Sequence, residues 1–126
     1  MKISEILKNN KITLSMEVFP PKTSTAFETV NKAVKEIAAL KPDFMSVTYG
    51  AGGGTSKHTV KIATDIKKQY GVTSMAHLTC VSSSEDTVRK QIELIRDAGI
   101  ENILALRGDI PEETEFPMPE IGRAHV

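Results

Sequence analysis

Several features that commonly announce a function are scarce in this chain or missing from it. It has a single cysteine, Cys80, so no internal disulfide can form. That fits a reducing compartment, and the expected localisation is cytoplasmic. Neither sign of charge is in excess, with 16 Lys and Arg against 16 Asp and Glu. A nucleic-acid binder would show a basic surplus or stripe, and a polybasic membrane anchor would show the same. No apolar run approaches membrane-span length, and Met1-Lys2-Ile3-Ser4-Glu5 does not open a signal peptide. No metal-ligand spacing occurs. What remains is 126 residues, 40% of them hydrophobic, enough for one domain with a core.

The periodicity of the chain is more informative. Ile3 to Asn9 reads as a short helix, with Ile3, Ile6 and Leu7 on one face and Asn9-Asn10 ending it. A pattern then repeats at the size of a βα unit. Thr13-Leu14-Ser15-Met16-Glu17-Val18 alternates like a strand, and Phe19-Pro20-Pro21 stops it. Thr25-Ala26-Phe27-Glu28 resembles a capping box, followed by Phe27, Val30, Val34 and Ile37 at helical spacing, with Lys41-Pro42 closing the helix. Phe44-Met45-Ser46-Val47-Thr48-Tyr49 is the second strand. Thr55 or Ser56 can cap the next helix, whose face carries Val60, Ala63 and Ile66, and Gly71 ends it. Thr73 to Thr79 is the third strand. Ser84 caps a helix with Glu85 and Asp86 in its first turn and Val88, Ile92 and Ile95 on its apolar face, and Gly99 ends it. Asn102 to Leu106 is the fourth strand, leading into Arg107-Gly108-Asp109.

This order implies an α/β fold with a parallel sheet. An open doubly wound sheet and part of a (β/α)8 barrel both fit. The positions of the polar residues favour the barrel. Glu17, Thr48, His77 and Arg107 fall at the C-terminal ends of four successive strands, where catalytic groups of β/α barrels gather. Alternation sets Glu17 on the side of Thr13 and Ser15, away from Leu14, Met16 and Val18. Glu17 is therefore the leading candidate for proton chemistry. Each position also has a plainer reading. His77 can be a structural hydrogen bonder, Thr48 a strand residue, and Arg107 with Asp109 a salt-bridged turn. Arg107-Gly108-Asp109 also spells a cell-adhesion tripeptide, read here as chance. The stretch Gly50-Ala51-Gly52-Gly53-Gly54 can cradle a phosphate or let backbone approach a ring. It matches neither a Walker loop nor the dinucleotide fingerprint. Cys80 reads as packing and His58 as surface.

Four motifs taken together resemble the methylenetetrahydrofolate reductases. They are Met16-Glu17-Val18-Phe19-Pro20-Pro21-Lys22, Ser46-Val47-Thr48-Tyr49-Gly50-Ala51, Ala76-His77-Leu78-Thr79-Cys80 and Ala105-Leu106-Arg107-Gly108-Asp109, in the family's order and spacing. The resemblance covers residues from about 12 to 111. It implies a (β/α)8 TIM barrel carrying FAD, of which this chain holds about four parallel strands and the intervening helices. It also implies NADH or NADPH as electron donor, 5,10-methylenetetrahydrofolate as substrate, 5-methyltetrahydrofolate as product and a full-length protein that is a homo-oligomer. Glu17 matches the family's general acid, which assists opening of the five-membered ring; a partly buried carboxyl suits that task. Thr48 matches a residue close to flavin and nicotinamide. Tyr49, Ala51, His77, Arg107, Gly108 and Asp109 match flavin-contacting positions, and Asp109 would also lie near the pterin. Lys22 stands where arginine is common, and Val18 where an aromatic is common.

Beyond Asp109 the pattern fades into a proline-rich acidic stretch, Ile110 to Pro119. Residues 1–119 read as the first half of the family's barrel. Residues 120–126, Glu-Ile-Gly-Arg-Ala-His-Val, read as one frame of a sequencing adapter and are expected to be a non-native tail. On that expectation the fragment alone is inactive. Two further readings stay open: another β/α-barrel enzyme that binds phosphate or a cofactor through the glycine stretch, and a non-catalytic open-sheet binding module.

Overall fold

The computed structural model describes residues 1–10, 12–23, 26–49, 56–81 and 83–109. In chain order the elements are α1 (Ile3–Asn9), β1 (Ser15–Val18), α2 (Phe27–Ala39), β2 (Phe44–Val47), α3 (Ser56–Lys68), β3 (Thr73–Thr79), α4 (Glu85–Asp97) and β4 (Asn102–Leu106). All eight elements predicted from the periodicity are present. Two strands are shorter than their patterns. β1 begins at Ser15 because Asp43 engages the backbone of Leu14: its carboxylate accepts from Leu14 N at 2.8 Å, and its own N–H donates to Leu14 O at 2.8 Å. β2 ends at Val47, although Thr48 N still donates to Val18 O at 2.9 Å.

The helix ends show local chemistry at work. Ser84 caps α4, its side chain accepting from Thr87 N at 3.2 Å. The N-cap of α2 is Ala26, with no side-chain cap bond; Thr25 lies outside the described residues, as does Thr55. Gly71 and Gly99 follow α3 and α4 at φ +67° and +79°, a backbone region glycine enters without a Cβ penalty. Lys41 does the same job after α2 at φ +53°, and Pro42 then prevents the helix from continuing.

The sheet is wholly parallel, in the order β1-β2-β3-β4. Its core lies on one face. Val18, Met45, Val47 and Ala76 from the strands pack with Val34 and Ala38 of α2, Ile62, Ala63 and Ile66 of α3 and Ile95 of α4. Burying one aliphatic side chain of this size is worth about 1.5–3 kcal/mol, so this cluster drives folding. The arrangement decides between the two architectures left open by the sequence. A doubly wound sheet has helices on both faces and a point where strand order reverses. Here the strand order is sequential and the three crossover helices share one face, which is an arc of a β/α barrel.

The start of the chain is fastened to the N-terminal ends of β3 and β4. Asn102 Oδ1 accepts from Ile3 N at 3.0 Å, and Asn102 Nδ2 donates to Met1 O at 3.0 Å and Ser74 O at 3.2 Å. The remote amide thus satisfies the first N–H of α1, whose own N-cap, Lys2, has no side-chain cap bond. Residues 110–126, including the expected non-native tail, lie outside the described residues.

Candidate functional site

Strand alternation fixes what each face of the sheet offers. Met16 and Val18 turn towards the helices, so Glu17 turns away from them. In register, Glu17 pairs with Ser46, and Ser46 with Met75. His77 follows Met75 by two residues and therefore shares that face. The two ionisable side chains meet above β2: His77 Nε2 lies 3.5 Å from Glu17 Oε1. Their surroundings differ. The His77 side chain is only 9% exposed, whereas that of Glu17 is 48% exposed. Burial pushes the His77 imidazole below its ordinary value; the neighbouring Glu17 carboxylate acts in the opposite direction and does not cancel it. The neutral ring is therefore its resting form at neutral pH. His77 Nε2 is buried and forms no hydrogen bond among the described residues, because 3.5 Å is at the limit for an N–H···O contact.

A second feature adjoins this pair at the same end of the sheet. Tyr49, Thr79, Val81, Leu106, Gly108 and Asp109 line a groove of about 190 Å³. It is formed where the chain leaves β2, β3 and β4. Gly108 has a strict backbone reason to be glycine. Its φ is +86°, and a Cβ there would stand 2.8 Å from Val81 Cγ1 and 3.0 Å from Thr79 Cβ. The close approach lets Val81 N donate to Arg107 O at 2.7 Å, which closes the groove floor. Among the described residues, Thr79 Oγ1 is the second buried polar atom of this face without a hydrogen bond. Buried polar groups are normally paired, and β3 carries three orphans among the described residues: Ser74 Oγ on the helix side, and His77 and Thr79 two residues apart on this face, where the fold leaves valences open.

The structure therefore brings Glu17 to His77, and Tyr49 to Gly108 and Asp109. Thr48 sits beside them, half-buried, with its carbonyl accepting from Thr59 Oγ1 of α3 at 2.8 Å; that bond pins the exit of β2 to the helix. Arg107 is not drawn in. It is exposed, and its Nε reaches only the carbonyl of Gly108, at 3.3 Å. No ion pair joins it to Asp109, which removes the salt-bridged-turn reading. Ala51 and the rest of the glycine stretch lie outside the described residues. Cys80 packs against the small cluster of Tyr49, Leu78 and Val88, in keeping with a packing role. His58 is half-buried rather than on the open surface, its ring 5.2 Å from that of Phe27. Sequence reasoning missed Thr79 and Val81 as groove residues. For Thr79 the signal was available, since it shares parity with His77.

A larger cavity, about 350 Å³, lies at the other end of the sheet, lined by residues including Met1, Lys67, Ser74, Glu101 and Asn102. Its charged groups already answer one another. Glu101 contacts both the N-terminal ammonium, at 3.3 Å, and Lys67 Nζ, at 3.4 Å. It lies at the N-terminal ends of the strands, which in β/α barrels serve stability. The candidate site is therefore the smaller, C-terminal one.

A model of the family described as methylenetetrahydrofolate reductase matches residues 2–125. The 5,10-methylenetetrahydrofolate reductase of Pectobacterium carotovorum subsp. carotovorum is 41% identical over 107 residues, covering 85% of this chain and 36% of that protein. The protein of the same name from Escherichia coli (strain K12) is 40% identical over 107 residues, again 85% of this chain and 36% of the relative. Methylenetetrahydrofolate reductase (NADH) 1 of Arabidopsis thaliana is 36% identical over 124 residues, 98% of this chain and 21% of that protein. The chain thus spans about a third of the bacterial relatives and about a fifth of the plant one.

Proposed function

Because the chain belongs to the methylenetetrahydrofolate reductase family, we propose that it carries the acid-bearing side of an active site that reduces 5,10-methylenetetrahydrofolate to 5-methyltetrahydrofolate. The electron donor in this reading is a reduced nicotinamide, in line with the NADH in the name of the Arabidopsis relative. FAD, held at the groove, would supply the hydride relay between that donor and the folate carbon. The observation that carries the proposal is the pairing of Glu17 with buried His77 at the C-terminal rim, beside a groove lined by Tyr49, Gly108 and Asp109.

The groove supports part of a flavin site. Tyr49, Val81 and Leu106 offer apolar surface, and Gly108 brings backbone close to it. Thr79 Oγ1 is an unpaired polar group on its wall. Its volume is below the roughly 300–1,000 Å³ of complete small-molecule sites, so these residues would hold only a portion of the cofactor. In this reading Tyr49, Gly108 and Asp109 are first-contact residues and Thr48 stands at the edge facing the nicotinamide. Arg107 and Ala51 are further flavin contacts.

Glu17 acts as the proton donor. The methylene bridge of the substrate is a poor hydride acceptor until one ring C–N bond opens to an iminium. Protonating the departing nitrogen makes that opening favourable. Glu17 is half-exposed on the open face, so a substrate nitrogen can reach it, and the Glu17 O–H proton passes to that nitrogen as the C–N bond breaks. Asp109, at the groove, supplies negative charge that favours the developing cation.

The test is to complete the chain to the length of its relatives and supply FAD, NADH and methylenetetrahydrofolate. Bound flavin with nicotinamide-dependent formation of methyltetrahydrofolate is expected. The 126-residue chain alone is expected to purify without stoichiometric flavin and without turnover. A completed chain that binds flavin but cannot reduce this folate would overturn the proposal.

A further inference from the structure

The Glu17–His77 contact is more than two neighbours sharing a rim. A carboxyl that donates a proton must be held in one orientation, and it must tolerate becoming a carboxylate once the proton has left. Glu17 lies on the outermost strand of the described sheet, half-exposed, with no hydrogen bond among the described residues to hold it. The one polar side chain within ion-pair distance is His77, which is itself fixed by burial in β3. We propose that His77 is the positioning residue for Glu17: its Nε2–H donates to Oε1 and leaves Oε2, which carries the transferable proton, facing the substrate.

This inference rests on the reading of Glu17 as the acid, and it adds a partner and a tautomer. The geometry is economical in atoms. In the protonated carboxyl, Oε1 is the carbonyl oxygen and accepts from Nε2–H. After the Oε2 proton has passed to the substrate nitrogen, the same N–H faces a carboxylate and its hydrogen bond becomes charge-assisted, roughly twice as strong as a neutral one. The interaction therefore strengthens as the reaction proceeds, which is the condition for accelerating it. The observed 3.5 Å separation suits a resting pair, since catalytic hydrogen bonds commonly tighten only when substrate arrives. His77 keeps its own proton throughout, so the transfer balances between Glu17 and substrate alone. Burial favours a neutral imidazole, as the role requires. Among the described residues no other titratable group faces it: the β2 positions beneath are Ser46 and Thr48, and its β4 partner is Leu104.

The pairing can be read on this chain directly, without flavin or turnover. In the isotopically labelled protein, long-range proton–nitrogen spectra report which ring nitrogen of His77 bears the proton. The Nε2–H tautomer is expected; an Nδ1–H tautomer overturns the proposal. Titration of the same signals gives a second reading. Glu17→Gln removes the negative charge that favours the protonated ring, so the His77 midpoint should move to lower pH, and an unmoved midpoint would count against the pair. In the completed chain, His77→Gln should lower kcat for folate reduction about tenfold or more with little change in nicotinamide-driven flavin reduction. His77→Asn, too short to reach Oε1, should not do better, and equal loss in both half-reactions would assign His77 to flavin binding alone. If Glu17 were not the acid, the tautomer result would stand while Glu17→Gln kept its folate activity, so the two failures are separable.

Discussion

The two faces of one sheet obey opposite rules. On the helix side, Met45, Val47, Ala76, Ile62, Ala63 and Ile66 are completely buried in one apolar cluster, and among the described residues only Ser74 and Thr59 add buried hydroxyls beside them. On the other side, the same strands present Glu17, Ser46, His77 and Thr79, and two buried polar atoms there lack hydrogen bonds. Because side chains alternate along a strand, one stretch of backbone carries both sets. The helix face is tuned for density. The opposite face holds groups that cost stability, which is what a site leaves behind when it reserves hydrogen-bonding capacity for a ligand.

Substitutions that separate the faces should therefore separate stability from chemistry. The largest loss should come from Ile66→Ala, which opens a cavity at the centre of the helix-side core. A cost of about 2–5 kcal/mol is expected in urea unfolding. A cost under about 1 kcal/mol would mean that this face is not the packed core described. Next comes Gly108→Ala, where the new methyl meets Val81 and the backbone is left-handed. Strain of about 1–3 kcal/mol is expected, together with a disturbed groove. Denaturant midpoints that match the parent chain would show that the loop relaxes and does not need its tight approach to β3.

Thr79→Val should act in the reverse sense. It removes a buried hydroxyl with no partner while keeping the shape, so a gain of about 1 kcal/mol is expected. In the completed chain the same change should weaken flavin binding. Loss of stability instead would mean that the hydroxyl is already paired. The smallest effect is a pH dependence. Burial holds the His77 pKa below its unfolded value, so the unfolded chain binds the extra proton first as pH falls. Stability should be full above the ordinary histidine pKa of about 6.5 and decline below it. Replacing His77 with Gln should flatten that decline in unfolding curves measured between about pH 5 and 8. An unchanged slope would place the titrating group elsewhere.

Much of this was legible in the sequence because it depends on period alone. The alternation of Leu14, Met16 and Val18 against Glu17 placed the carboxylate on the correct face before any coordinates. The Ser84 cap and the stops at Gly71 and Gly99 are equally local. The Glu17–His77 contact was not legible, because register and sheet twist decide which rows on non-adjacent strands meet. For Arg107 the strand-end position was legible but the side-chain placement was not: among the described residues it reaches only its neighbour's carbonyl. The orphaned state of Thr79 is equally hidden, since an unpaired hydroxyl depends on what surrounds it in three dimensions.

The central claim is that Glu17 performs the proton transfer. It is tested most directly by measuring the two half-reactions separately in the completed chain carrying Glu17→Gln. Folate reduction should fall by at least about a hundredfold, the lower range for loss of a general acid, while flavin reduction by the nicotinamide proceeds at close to its normal rate. Retention of both half-reactions would contradict the account.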